Sequence, residues 1–319
     1  MFDLQAMPSA ARVAVIDIGS NSIKLLVARA APGDSAIEAL FAETIETRIS
    51  GGIGGELPRL APEAMEAGIR ALSELLRLAL LHKPGAIRIV ATSAVRDALN
   101  GRDFARQVQT ATGHAIDILS GPEEARLIGR GLATDPQLTT LDRFLQIDLG
   151  GGSLELIHFS KHRIKQAISL QLGAVRLSER FLPDREAPLD PAIAQAIQAH
   201  VSHALQNSGM PLPPGQPVVA TGGAVVVTRA VLAAEAGIDI ETRSPCITLE
   251  EITRLRRRLA RLNLHQRIAV PHLPAARADI FPTALLTIET VLQAARADRL
   301  THSFHNLRYG IAAELLENR

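Results

Sequence analysis

Short, mostly apolar stretches rich in β-branched and aliphatic residues near the start of the chain recur near its middle, each time interrupted by a tight polar turn. Residues 13–18 and 23–28 read as two strands around the first turn, and 37–49 continues as a third with a looser pattern. The same three-strand beginning returns over 145–149, 154–159 and 164–170. Between the two sets the apolar residues shift to helical spacing. Pro62 opens a helix over 62–81 with Ile69, Leu72, Leu75, Leu76, Ala79 and Leu80 on one wide face, and Pro84-Gly85 closes it. The stretch 51–55 before it, Gly-Gly-Ile-Gly-Gly, is a loop. A buried strand over 87–91, a helix over 102–112 and a strand over 116–119 follow; Ser120 and Glu123 then form a capping box that starts a helix through Leu132. After the second strand set the pattern is mainly helical, at 191–206, 224–236, 249–262, 283–297 and 307–317. One strand, 218–220, feeds the Thr221-Gly-Gly223 turn. Strands mixed with helices in two similar halves predict α/β architecture.

The two interrupting turns register as one repeat. Asp17-Ile-Gly-Ser-Asn-Ser22 and Asp148-Leu-Gly-Gly-Gly-Ser153 align Asp17 with Asp148, Gly19 with Gly150, Ser22 with Ser153 and Leu25 with Leu156. The period is too long for a solenoid and implies a duplicated half. Turns built of Gly and Ser let backbone N–H groups and hydroxyls approach an anion closely. Gly19, Ser20, Asn21 and Ser22 in one half, with Gly150, Gly151, Gly152 and Ser153 in the other, are therefore candidate phosphate-binding positions. Asp17 and Asp148 repel phosphate, so their predicted task is to hold a divalent cation that bridges to it.

At 319 residues the chain is long for one core, and the usual range of roughly 100–200 residues per domain points to two. Aromatics make up 3% and Trp is absent, so the core must be aliphatic. No apolar run is long enough to span a membrane, and Asp3 and Gln5 stand where a secretory segment needs a basic start and an apolar stretch, so a cytoplasmic protein is expected. Cys246 is the single cysteine, which excludes an internal disulfide and a cysteine-based zinc cluster. A formal charge of +1 provides no global field for a polyanion, so any such affinity must be local.

The turns and four further blocks, Ala91-Thr-Ser-Ala-Val-Arg-Asp-Ala-Leu-Asn100, Ser120-Gly-Pro-Glu-Glu-Ala-Arg-Leu127, Thr221-Gly-Gly223 and Arg277-Ala-Asp279, make the chain resemble the exopolyphosphatase/guanosine pentaphosphate phosphohydrolase family almost end to end. The resemblance implies a duplicated actin-like (ribonuclease H-like) α/β fold of two domains with a central interdomain cleft, residues 1–124 plus 304–319 forming one and 125–303 the other. It places the catalytic carboxylate at Glu124, orienting or deprotonating a water that attacks the terminal phosphorus. Asp148 and Glu155 resemble the family's metal-associated acids, and Glu155 follows Ser153 by two, so both side chains emerge on one strand face. Arg96 corresponds to an arginine that clamps phosphate oxygens, and Gly222 and Gly223 to a turn near the phosphate chain. Glu123 is read as a capping acid only. The chain departs from the family at Leu154 and Ala224, each replacing a hydroxyl residue.

The implied activity is release of terminal phosphate from inorganic polyphosphate with magnesium or another divalent cation. The alternatives are a guanosine pentaphosphate 5′-phosphohydrolase and a non-catalytic phosphate or nucleotide sensor; an ATP-dependent kinase of the same fold lacks a visible acceptor pocket. No nucleic acid or membrane partner is expected, and a homodimer is allowed. His200 and His203 have helical metal-binding spacing without an acidic third ligand and read as a surface pair. The run Arg254-Leu-Arg-Arg-Arg-Leu-Ala-Arg261 reads as a solvated helix face whose Arg256, Arg257 and Arg258 offer a long polyanion a second contact. Lys161, Arg163 and Lys165 form a weaker basic spot.

Overall fold

In the computed structural model, which describes residues 11–31, 37–51, 57–161 and 163–318, both three-strand regions fold as antiparallel meanders. The first comprises β1 (Arg12–Ile18), β2 (Ser22–Ala30) and β3 (Ile37–Glu46), extended by β4 (Ala86–Ala91) and β5 (Asp117–Ile118) to a sheet of order β3-β2-β1-β4-β5. The second comprises β6 (Arg143–Leu149), β7 (Leu154–Ser160) and β8 (Arg163–Leu170), with β9 (Val218–Thr221) beside β6. Two further strands, β10 (Cys246–Thr248) and β11 (Arg299–His302), complete the order β8-β7-β6-β9-β11-β10. In both sheets the first strand pairs antiparallel with the second and parallel with the fourth, as a duplicated ribonuclease H-like fold requires.

The period of two decides which layer each residue joins. Along β1, Ala14, Ile16 and Ile18 enter one core while Val13 and Val15 enter another; along β7, Leu154 and Leu156 separate from Ile157 and Phe159 in the same way. Both sheets are thus buried on two faces. α1 (Pro62–Leu81) and α3 (Gly101–Thr112) cover the outer face of the first sheet, through Leu72, Leu75, Leu76, Phe104 and Val108. Between the sheets lie α4 (Gly121–Leu132) and α11 (Leu307–Glu317), where Ile128, Leu132 and Ile311 meet Val13 and Leu26 from one side and Phe144 and Phe159 from the other. These two helices cross closely enough that a Cβ on Gly310 would collide with the Leu127 carbonyl.

Several expectations shift. The third strand ends at Glu46 rather than 49, because Thr47 and Arg48 turn their N–H groups onto the Asn21 carbonyl (3.0 and 2.9 Å) and Arg48 adopts a left-handed φ of 46°. Leu80 does not join the buried face of α1 but is 56% exposed. The short helices α2 (Ser93–Asp97), α5 (Ala174–Phe181) and α9 (Leu264–Ile268), and strands β10 and β11, carry too few residues to display a period. Residues 52–55 of the expected glycine loop lie outside the described residues. The expected domain breaks fall inside the first turn of α4 and between β11 and α11.

Candidate active site

A cleft of about 850 Å³, its open mouth included, lies where the C-terminal ends of β1, β4, β6 and β9 face one another. Asp17, Gly19, Ser20, Asn21, Ser22, Glu124, Asp148, Gly150, Gly151, Ser153, Glu155, Gly222 and Gly223 all line it, so the fold brings together most of the residues expected from sequence. Each turn is closed by a bond of its own, Gly19 N–H donating to the Ser22 carbonyl (3.1 Å) and Gly150 N–H to the Ser153 carbonyl (3.0 Å), and the Ser20 and Ser93 hydroxyls lie 3.3 Å apart. Gly152 is not a wall residue. It abuts Ser93, and its carbonyl accepts from Arg176 Nε (2.9 Å), so it serves the packing of one turn on the other.

Glu124 occupies the first turn of α4 and is 6% exposed. Burial, then the neighbouring Glu155 charge, pushes its carboxyl well above the ordinary range, while Arg96 opposes the rise. Arg96 Nη1 donates to Glu124 (2.8 Å) and to the Leu119 carbonyl (3.1 Å), and does not wall the cleft. The expected clamp on phosphate oxygens is therefore engaged with the candidate base, fixing its rotamer. Glu123, exposed, closes the capping box with Ser120 as expected.

The register exposes a residue that sequence reasoning missed. Asp148 pairs across its hairpin with Glu155, and Asp17 pairs across the other with Lys24, so Lys24 is the repeat equivalent of Glu155. Lys24 lines the cleft, and burial followed by the charges of Arg277 and Arg308 lowers its ammonium to about 8. Completing the alignment by two residues past Ser22 and Ser153 finds it. Arg277 also lines the cleft, lying against Gly223 so tightly that a Cβ there would strike its guanidinium, and Nη2 donates to Ser22 Oγ (3.2 Å). Arg277 lies in a block quoted for the resemblance, yet no spacing could reveal that it reaches Ser22.

Three acids were expected to hold a cation. Asp148 accepts from Thr221 Oγ1 (2.6 Å), and Gly222, at φ 92°, leaves room for its other oxygen where a Cβ would collide. Glu155 accepts from Ser169 Oγ (2.8 Å), and burial, then the Asp148 charge, raises it to about 7. Asp17 has a buried Oδ1 without a hydrogen-bond partner, and burial raises its pKa. Among the described residues no three His, Cys, Asp or Glu side chains converge as a cage, so a three-carboxylate site is not what the geometry provides. An unsatisfied carboxylate oxygen opposite a cradled one, in an oxygen-only set, suits a hard cation held by one or two carboxylates with water and phosphate.

Away from the cleft, His203 bonds Asn207 and His200 packs on Phe181, a surface pair as read. The arginine run is largely engaged: Arg254 and Arg258 pair with Glu235 (3.1 and 2.8 Å) and Arg256 pairs with the buried Glu289. Arg256 is thus a structural residue and not the free polyanion contact expected. Leu154 is buried in the core of its sheet, while Ala224 does wall the cleft.

Residues 26–319 match the model of the Ppx/GppA phosphatase family. An Aquifex aeolicus Ppx/GppA phosphatase, type II variant, is 23% identical, with a TM-score of 0.72 over 95% of this chain and 99% of its own. An exopolyphosphatase from Cytophaga hutchinsonii ATCC 33406 is likewise 23% identical, with a TM-score of 0.84 over 96% of this chain and 98% of its own.

Proposed function

We propose that this chain, which belongs to the Ppx/GppA phosphatase family, is an exopolyphosphatase that releases terminal phosphate from inorganic polyphosphate by attack of water. The observation that supports this best is Glu124: a buried carboxylate facing the cleft, its rotamer held by Arg96 and its affinity for a proton raised by burial and Glu155. Such a group takes a proton from a water near neutral pH, which an exposed carboxylate does poorly. Lys24 and Arg277, with the N–H groups and hydroxyls of the two turns, bind the terminal phosphate oxygens and offset charge that develops during transfer. A magnesium ion, or another divalent cation, would be held by Asp148 with Asp17 and Glu155 near it, and supplies neutralisation of phosphate oxygens. The two lobes, 1–124 with 304–319 and 125–303, would close the cleft from either side. No helix among the described residues is long and apolar enough to cross a membrane, and the reading places the enzyme in the cytoplasm.

The pH dependence follows from the shifted groups. Glu124 is raised, so the rate climbs with pH as the base ionises; Lys24 sits near about 8, so the rate falls again as its ammonium is lost. Lys24→Arg, which cannot titrate in this range, is expected to move the alkaline limb of kcat/KM upward by at least about one unit. An unmoved limb in a pH-rate profile would remove Lys24 from the phosphate site.

Phosphate release from long polyphosphate and from guanosine pentaphosphate, measured side by side with and without magnesium, tests the assignment. Faster release from polyphosphate, dependent on magnesium, is expected. Faster release from pentaphosphate would assign the phosphohydrolase alternative instead, and release from neither would leave a sensor.

A further inference from the structure

Across one rim of the cleft the two lobes meet in a ladder of opposite charges. Glu46, the last residue of β3, and Arg48 stand two residues apart, and Arg277 and Asp279 stand two apart on the facing segment. Glu46 accepts from Arg277 Nη2 (3.0 Å) and Nε (3.1 Å). Arg48 pairs with Asp279 and donates to the Ala276 carbonyl (2.9 Å). Of these four side chains only Arg277 walls the cleft among the described residues. Glu46 reaches the site in a second way, since its other oxygen accepts from Asn21 Nδ2 (2.7 Å) in the first turn.

The Nε–Nη2 edge of a guanidinium is one of the two that can engage a pair of oxygens at once. In Arg277 a carboxylate of the protein already occupies it. We propose that Glu46 is a specificity-determining residue of the phosphate site, a resident anion that competes with incoming phosphate for Arg277. A phosphate group gains the full edge by displacing Glu46, or accepts the remaining Nη1 in the presence of a like charge. Either route lowers affinity for anions too weakly charged to displace a carboxylate, such as single orthophosphate, relative to a multiply charged chain end. The inference rests on the reading of the cleft as a phosphate site.

Glu46→Gln is the discriminating change. It removes the charge but keeps the size, and its amide can donate to Asn21 Oδ1, a buried acceptor without a hydrogen-bond partner. Since Glu46 is only part-buried and the competing charges are partly screened, the gain in affinity for inorganic tripolyphosphate is expected to be roughly fivefold. Affinity for orthophosphate should rise more than that, so the ratio between the two ligands narrows. Arg48→Gln breaks the neighbouring rung and leaves Glu46 on Arg277, so it is expected not to tighten binding. Calorimetric titration of wild type and both variants with tripolyphosphate and with orthophosphate, in magnesium, reads these differences without relying on turnover. Equal or weaker binding by Glu46→Gln overturns the inference alone, since the wild type still binds. Tightening by Arg48→Gln to the same degree also overturns it, by tracing the effect to a loosened rim. Absence of tripolyphosphate binding by all three proteins overturns the phosphate site and the inference together.

Discussion

Glu124→Gln is expected to lower turnover of long polyphosphate by about a hundredfold or more while the substrate still binds. Glutamine retains the shape of the side chain, and its carbonyl oxygen still accepts from Arg96 Nη1, so the local geometry persists. What disappears is a site that can take a proton from water. Because the glutamate charge is desolvated, its neutral replacement should leave thermal stability equal or higher, which separates lost chemistry from lost folding. Glu123→Gln touches only the exposed capping box and is expected to leave stability and rate nearly unchanged. Equal, mild effects of the two substitutions in steady-state assays would remove Glu124 from the mechanism.

Asp148→Asn is expected to raise the magnesium concentration for half-maximal activity by at least about tenfold, because a site with one or two carboxylate ligands loses a charged one. Thr221 can still donate to the asparagine oxygen, and Gly222 still leaves room beside it, so the turn need not rearrange. Asp17→Asn is expected to act in the same direction, since Asp17 lines the same cleft and carries a buried oxygen without a hydrogen-bond partner. Thermal melts supply a readout free of turnover: magnesium should raise the Tm of the wild type and raise that of Asp148→Asn much less. Full activity of Asp148→Asn at ordinary magnesium, or of wild type in excess chelator, contradicts the metal assignment.

The paired turns made the duplicated architecture legible from sequence, because an Asp-x-Gly turn between two apolar strands is a local signal repeated in register. The same register carried the information about Lys24, two residues beyond Ser22, but became meaningful only once Asp17–Lys24 and Asp148–Glu155 were seen as equivalent cross-strand pairs. Arg96 was recognised as a site residue, but its bond to Glu124 was not foreseen, because which acceptor the guanidinium meets depends on how α2 packs beside α4, and no motif encodes that. Arg277 and Glu46 lie far apart in the chain and meet only in the folded structure. Arg256 shows the opposite error, a charge in a basic run that is consumed by the buried Glu289 rather than left for a ligand. Strands β10 and β11 escaped notice because three or four residues cannot establish a period of two.

Attack of a water activated by Glu124 on the end of a phosphate chain can be followed by hydrolysing long polyphosphate in water enriched in heavy oxygen and analysing the first products by mass spectrometry. Orthophosphate is expected from the first turnover, each molecule carrying one solvent oxygen, formed by wild type with magnesium and strongly suppressed in Glu124→Gln. Internal fragments as first products, or labelled orthophosphate formed equally fast by Glu124→Gln, would contradict it.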